Sequence, residues 1–143
     1  MTNTIVIASG YFNPTHTGHL DYLEEAKKLG DVLIVIVNND DQVKVKGSKS
    51  FLSEKERGRL VQALGCVDHA VMSIDKDGSV TKTVQSIWNT WCLSNVKFVF
   101  ANGGDQKSGV PEEEFCNHHG IKMVYGVGGE KTQSSSSLLN EVS

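Results

Sequence analysis

Short runs of apolar, mostly β-branched residues recur along the chain and alternate with segments of helical period. The clearest run is Val32–Val37, where consecutive apolar residues are typical of a strand buried on both faces of a parallel sheet. Four shorter runs of the same kind predict further strands, at residues 5–8, 70–74, 98–101 and 123–125. The pattern therefore predicts five strands, with room for a helix between each pair.

Between the strands, apolar residues spaced three or four apart predict amphipathic helices. The first stripe ends at Gly30, a residue type that commonly follows a helix C-terminus. Ser53 and Glu56 stand at capping-box spacing ahead of the second stripe. The apolar positions are Leu20, Leu23, Ala26 and Leu29 in the first stripe, Leu60, Val61 and Leu64 in the second, and Val80, Val84, Ile87 and Trp91 in the third.

Two more helices are expected toward the end of the chain. Pro111 and the glutamates that follow it suit the first turn of a helix, because the missing proline N–H costs nothing there and the helix dipole favours anions. The segment from Ser134 predicts another helix. Alternation of strands and helices indicates one α/β domain, residues 1–143, built from βαβ units around a parallel sheet. Ligands of such sheets bind beyond the carboxyl ends of the strands, near the switch in strand order.

Composition narrows the class of protein. The 143 residues correspond to one domain, and 38% apolar and 22% charged residues are ordinary for a folded globular protein. A formal net charge of −3 predicts neither a nucleic-acid partner nor a membrane surface. Three widely spaced cysteines indicate free thiols in a reducing compartment. Because we see no membrane-spanning run and no signal peptide, we expect a cytoplasmic protein.

The most unusual segment is the turn between the first strand and the first helix. It matches neither of the two common glycine-rich phosphate loops. Instead, His16 and His19 flank Thr17 and Gly18, so both imidazoles lie at the start of a helix, where free N–H groups and the dipole attract an anion. Gly18 lets a phosphate approach the backbone. Phosphate binding is favoured over a metal site, which lacks a clear third ligand, and over a purely structural cap.

Residues 10–19 read Gly-Tyr-Phe-Asn-Pro-Thr-His-Thr-Gly-His and resemble the GTFD…HxGH signature of the cytidylyltransferase-like nucleotidyltransferases, above all glycerol-3-phosphate cytidylyltransferase and the ADP-heptose-forming adenylyltransferase. The resemblance implies a Rossmann-like, doubly wound, parallel five-stranded sheet with flanking helices. It also implies NMP transfer from an NTP to a phosphomonoester, release of pyrophosphate, Mg²⁺ as cofactor and a homodimer. It places Gly10, Tyr11, Phe12, Asn13 and Gly18 at the nucleotide, with Asn13 standing where the family usually has Asp.

The resemblance assigns catalytic roles to a few side chains. His16 and His19 match the family histidines that contact the triphosphate and stabilise the transition state. Lys44 is the best match to a lysine near the α-phosphate and the acceptor phosphate, and Lys46 is the second. Arg57 matches an arginine suited to bidentate binding of the acceptor phosphate. The alternatives are a solvated basic loop for the lysines and an ordinary surface position for the arginine.

Two later segments resemble the family's nucleotide-binding turns. Asn102, Gly104 and Asp105 follow the fourth predicted strand and match a turn that borders the nucleoside; a plain structural turn is the alternative. Residues 131–137 resemble an RTEGIST-like motif whose hydroxyl and N–H groups cradle phosphates, with a serine-rich linker as the alternative. The nucleotide-binding residues expected in this motif are Lys131, Thr132, Gln133, Ser135, Ser136 and Ser137.

The implied reaction is in-line attack of an acceptor phosphate on the α-phosphorus of the NTP. A phosphomonoester dianion is already nucleophilic, so catalysis reduces to alignment and charge stabilisation. Mg²⁺ would bridge phosphate oxygens and need few protein ligands, so no metal-ligating residue is assigned. CTP is favoured as donor and glycerol 3-phosphate or another sugar or polyol phosphate as acceptor.

Several alternatives to that function stay open. One is an adenylyltransferase that uses ATP on a sugar phosphate or a coenzyme precursor. Another is a nucleotide-binding regulator without turnover, which the departures at Asn13 and Lys131 motivate. A flavodoxin-like or receiver signalling domain is disfavoured, because the first turn offers Asn13 where such a domain needs an acidic cluster.

Overall fold

Five parallel strands form one sheet in the computed structural model, which describes residues 3–13, 16–47, 49, 52–103 and 110–128. The strands are β1 (Asn3–Gly10), β2 (Val32–Val37), β3 (His69–Met72), β4 (Val96–Gly103) and β5 (Lys122–Val127). Their order across the sheet is β3-β2-β1-β4-β5, and every neighbouring pair is parallel. The predicted doubly wound α/β fold is thus confirmed, and the strand order switches between β1 and β4.

The helices that connect the strands follow the predicted stripes, with two differences. They are α1 (Thr17–Lys27), α2 (Asp40–Val45), α3 (Glu54–Gln62), α4 (Thr81–Trp91) and α5 (Glu113–His118). Helix α5 begins after Pro111, not at it, because the N–H of Glu113 bonds to the carbonyl of Val110 in a preceding turn. The helix expected from Ser134 lies outside the described residues. Within the described part of the chain, no helix is long and apolar enough to cross a membrane.

Helix α2 was not predicted, because its segment was interpreted through its lysines, as a phosphate-binding segment with a solvated basic loop as the alternative. The local signal was nevertheless present. The Asn39 side chain accepts a hydrogen bond from the N–H of Gln42 at 2.9 Å, and the Gln42 side chain accepts from the N–H of Asn39 at 3.1 Å. This reciprocal pair is a capping box. The same device, predicted at Ser53 and Glu56, starts α3 as expected.

The sheet carries a separate apolar cluster on each face. Alternate residues of the strands point to opposite faces, so Val6 faces one layer of helices and Ile7 the other. Leu23 of α1 and Val61 of α3 pack on the first face, whereas Val84 of α4 belongs to the second. Burial on both faces explains the unbroken apolar run in β2. Three members of the predicted stripes end up at the surface instead: Leu29, Leu60 and Trp91.

The central strands β1 and β4 separate before either strand ends. β1 stays paired with β2 as far as Gly10, but its pairing with β4 stops at Ile7. Beyond that point the hydroxyl of Tyr22, from α1, accepts a hydrogen bond from the N–H of Ser9 at 3.3 Å and donates one to the carbonyl of Ala101 at 2.6 Å. One side chain thus replaces the missing ladder contact, and a crevice opens at the switch in strand order.

We expect Tyr22→Phe to lower the free energy of unfolding by about 1–3 kcal/mol, because it leaves the half-buried N–H of Ser9 and the buried carbonyl of Ala101 without their partner. Urea unfolding followed by circular dichroism measures the change. Tyr125→Phe is the matched control, since the Tyr125 hydroxyl donates to a carboxylate oxygen of Glu113, nearer the surface, and pairs no backbone group among the described residues. A loss for Tyr22→Phe no larger than that for Tyr125→Phe would contradict this account of the crevice.

Candidate functional site

The turn that follows β1 is held in an unusual backbone conformation. Phe12 has φ = 50°, in the left-handed region that side chains other than glycine rarely adopt. Its ring is buried and packs edge-on against the ring of His19, with centroids 4.9 Å apart. A Cβ at Gly10 would approach that ring to 2.9 Å, so glycine is needed there. The burial of Phe12 offsets the strain of the turn and fixes the position of His19.

The two predicted histidines form a stacked pair at the start of α1. The ring centroids of His16 and His19 are 3.8 Å apart, with an interplanar angle of 23°. Nδ1 of His16 accepts from the N–H of Gly18 at 3.1 Å, and Nδ1 of His19 accepts from the N–H of His16 at 3.2 Å. Because each Nδ1 accepts, each neutral ring carries its proton on Nε2. In each ring, therefore, Nδ1 caps the helix and Nε2–H is left as a hydrogen-bond donor.

His19 is held in its neutral form. Burial, the neighbouring His16 and the charge of Lys46 together lower its pKa to about 4, and burial contributes most. A neutral imidazole with Nε2–H can donate to a phosphate oxygen without carrying a charge of its own. The helix start thus offers a fixed donor to an anion.

The structure brings Lys46, rather than Lys44, to the histidines. The Nζ atom of Lys46 lies 4.3 Å from the centre of the Tyr11 ring. Its positive charge is close enough to His19 to lower the pKa of that imidazole. Both lysines are exposed, and Lys44 lies in the last turn of α2 whereas Lys46 is the residue that follows it. The side-chain amide of Asn13 donates to the carbonyl of Lys49 at 2.7 Å, so it ties the turn after β1 to the segment after α2.

The sequence predicted that Arg57 binds the acceptor phosphate. In the structure its side chain is fully buried and does not face the open site. Its guanidinium donates to the carbonyl of Tyr11 at 2.8 Å and to the carbonyl of Asn38 at 2.5 Å. It also binds the carboxylate of Asp40 at 2.8 Å and the carbonyl of Leu52 at 3.2 Å. Four of its five N–H donors are thereby used inside the protein. Arg57 is a positioning residue, which ties the turn after β1 to the end of β2.

A cavity of about 300 Å³ occupies the crevice between β1 and β4. Its walls include Gly10, Tyr11 and Asn102, which were predicted to bind the nucleotide, and Asn38 and Glu112, which were not. A larger cavity, about 820 Å³, lies at the opposite, amino edge of the sheet and contains none of the predicted site residues. Since parallel sheets bind ligands at their carboxyl edge, the smaller cavity is the candidate site.

The remaining predictions fall outside the described residues. They concern Gly104, Asp105, Lys131, Thr132, Gln133, Ser135, Ser136 and Ser137. Gly18 is described and lies in the first turn of α1, between the two histidines. Among the described residues, no group of three or more His, Cys, Asp or Glu side chains is placed to hold a metal ion.

Comparison with known proteins extends the resemblance over most of the chain. The sequence model described as "Cytidylyltransferase-like" matches residues 7–132. A solved structure, the lipopolysaccharide core biosynthesis protein from Thermoplasma volcanium GSS1, is 33% identical. It superposes with a TM-score of 0.69 over 86% of this chain and 95% of that chain.

Two curated relatives match a shorter stretch. FAD synthase of Ferroglobus placidus is 44% identical over 82 residues, which is 57% of this chain and 52% of that protein. Bifunctional protein HldE of Helicobacter pylori strain P12 is 42% identical over 85 residues, 58% of this chain and 18% of that protein. The chain thus matches about half of the first relative and less than a fifth of the second.

If Arg57 is a positioning residue, Arg57→Lys should lower the free energy of unfolding by about 2–4 kcal/mol, because lysine cannot reach both carbonyls and leaves buried acceptors unpaired. Urea unfolding measures the loss. Arg59→Lys, at an exposed position of the same helix, is the control and should change stability by less than about 0.5 kcal/mol. Unchanged stability of Arg57→Lys together with weaker acceptor binding would restore the role predicted from the sequence.

The lowered pKa of His19 predicts a pH-dependent stability. The ordinary pKa is 6.5 and the folded-state value is about 4, so between these values the unfolded chain binds a proton that the folded protein does not. Stability attributable to His19 is therefore lost as the pH falls through this window. His19→Gln keeps the capping geometry but cannot be protonated, so we expect it to lose less stability than the wild type between about pH 7 and about pH 5.

Urea unfolding at the two pH values tests this expectation. His118→Gln, which removes an exposed histidine at the end of α5, should keep the wild-type pH dependence. Parallel pH profiles for His19→Gln and the wild type would contradict the assignment of a neutral His19.

Proposed function

This chain belongs to the cytidylyltransferase-like family, and we propose that it transfers an adenylyl group from ATP to a small phosphomonoester, with release of pyrophosphate. The observation that carries the proposal is the stacked pair His16 and His19 at the start of α1, with both Nε2–H groups available as donors. The pair lies near the charge of Lys46 and follows the turn after β1, where Gly10 and Tyr11 line the cavity at the switch in strand order. This arrangement suits a triphosphate whose innermost phosphorus is attacked.

We propose ATP in place of the CTP that the sequence favoured. FAD synthase is named for flavin adenine dinucleotide, a product that contains an adenylyl group, and HldE belongs to ADP-heptose synthesis. Each relative aligns with more than half of this chain at more than 40% identity. The family description names cytidylyl transfer, which keeps CTP as the second candidate.

The mechanism follows from what the histidine pair can do. A phosphomonoester dianion attacks the α-phosphorus of ATP in line, a P–O bond forms, and the bond to the pyrophosphate oxygen breaks. Negative charge grows on the phosphoryl oxygens as the reaction proceeds, and the Nε2–H groups of His16 and His19 and the ammonium group of Lys46 stabilise it. Because the nucleophile is already ionised, no general base is required.

Mg²⁺ belongs to this proposal only as an ion that enters with the triphosphate. The described residues provide no cluster that would hold it by protein ligands, so no step is derived through it. Magnesium commonly keeps several waters and binds mainly through substrate phosphates, which agrees with a site of imidazole and ammonium donors. The acceptor is proposed to be a sugar phosphate or a coenzyme precursor, and the expected homodimer remains a prediction.

The proposal is tested by incubating the protein with each of ATP, CTP, GTP and UTP and a panel of sugar, polyol and coenzyme-precursor phosphates. We expect pyrophosphate release with ATP and one class of acceptor, and a product whose mass equals acceptor plus AMP. Turnover with CTP alone would overturn the choice of base. Nucleotide-dependent thermal stabilisation without pyrophosphate would instead identify a nucleotide-binding regulator.

The role of the histidine pair is tested by His16→Ala and His19→Ala. We expect each to lower kcat by about 10²–10³-fold, because each removes a donor that acts mainly in the transition state. The affinity for ATP, measured by titration calorimetry, should fall far less. His118→Ala is the control and should keep wild-type turnover. Near-normal kcat in both alanine variants would mean that the chemistry lies elsewhere.

A further inference from the structure

Three of the side chains that line the cavity between β1 and β4 are polar and almost completely buried. The exposed fractions of Asn38, Asn102 and Glu112 are 4%, 7% and 6%. Buried polar groups in folded proteins nearly always have partners, so any capacity left unused in such a cavity points to a ligand.

Both amides turn their N–H groups toward the scaffold. The side chain of Asn38 donates to Gln42 at 3.0 Å, and the side chain of Asn102 donates to the carbonyl of Val124 at 3.2 Å. Within the described part of the chain, Oδ1 of each amide has no hydrogen-bond partner. Two buried acceptors are thus left at the wall of the cavity.

Glu112 adds a third acceptor of greater strength. One carboxylate oxygen accepts from the N–H of Val80 at 2.8 Å, and the backbone N–H of Glu112 itself also contributes. A carboxylate has about four lone-pair positions, so it can accept further bonds. Burial raises the pKa of Glu112, and the nearby charges of Asp75 and Asp77 raise it further. A donor supplied by a ligand would offset the cost of burying this carboxylate.

The same region is unsuited to phosphate. Asp75 accepts from the N–H groups of Lys82 and Thr83 in the first turn of α4, and Asp77 accepts from the N–H of Ser79. The N-terminus of α4 is therefore already occupied by carboxylates, and an added anion would be repelled. The phosphates belong at the histidine pair, so the part of the nucleotide that enters the cavity is the nucleoside.

We propose that Glu112 is a specificity-determining residue, which accepts a hydrogen bond from an O–H or N–H group of the nucleoside while the triphosphate lies at His16 and His19. The inference rests on the proposed function and adds the residue that reads the nucleoside. Candidate donors are the ribose hydroxyls and the exocyclic amine of the base. Asn38 and Asn102 supply weaker, neutral acceptors beside it.

The test compares kcat/KM for ATP, 2′-deoxy-ATP, 3′-deoxy-ATP and purine riboside triphosphate, which lacks the amine. Each analogue removes one candidate donor. We expect the wild type to prefer ATP over one of them by roughly 10- to 100-fold, the range for a hydrogen bond to a charged group. Glu112→Gln should reduce that preference to about threefold or less, because the amide N–H₂ then meets a donor.

Two further variants separate specificity from helix capping. Asp77→Asn also removes a carboxylate that accepts from the backbone ahead of α4, but Asp77 is exposed, so this variant should keep the wild-type preference. Glu112→Asp keeps the charge, withdraws the carboxylate by one methylene, and should lose the preference as Glu112→Gln does. If Glu112 served only the structure, its substitution would lower kcat/KM for all four nucleotides by the same factor.

Dissociation constants for the same nucleotides, measured by titration calorimetry, give these ratios without turnover. If ATP binds with the expected preference but no pyrophosphate is released, the proposed function fails and this inference stands. Equal affinity of the wild type for all four nucleotides overturns the inference, and so does a preference that persists in both Glu112 variants. Failure of every nucleotide to bind overturns both proposals.

Discussion

The buried guanidinium of Arg57 is the interaction on which the site depends. It binds the carbonyls of Tyr11 and Asn38, which follow adjacent strands, and so sets where the turn after β1 leaves the sheet. An unpaired charge in that position would cost several kcal/mol, so the backbone that pairs it has little freedom to move. This turn also contains Phe12, and the ring of His19 packs against the ring of Phe12. A charge on α3 thereby fixes an imidazole on α1.

The histidines show how one side chain can serve structure and chemistry together. In each ring, Nδ1 satisfies a backbone N–H at the start of α1, which is the function of an ordinary helix cap. That bond determines the tautomer, and the tautomer determines that Nε2 donates. The choice between a structural cap and a phosphate ligand, which the sequence posed as alternatives, therefore disappears. His16 and His19 are suited to phosphate because they are caps.

Local patterns predicted the sheet and one capping box, but not the residues that act over long distances. The apolar run of β2 and the capping box at Ser53 can be seen within a few residues. The burial of Arg57 was not predicted, because its partners Tyr11, Asn38 and Asp40 come from other segments of the chain. The choice between Lys44 and Lys46 depended on helix α2, where residues two apart lie on different sides. Tyr22 gave no local signal, since its two hydrogen bonds arise from the separation of β1 and β4. The glutamates after Pro111 signalled a helix start and nothing more.

Negative and positive groups lie at opposite sides of the site. Carboxylates surround the start of α4, whereas imidazole and ammonium donors surround the start of α1, so a nucleotide that enters the crevice has one favourable orientation. The low pKa of His19 keeps that donor neutral in the ground state. In the proposed reaction, the hydrogen bond from this donor strengthens as negative charge accumulates on the reacting oxygens. The donor would therefore stabilise the transition state more than the bound substrate, which is the condition for a higher kcat.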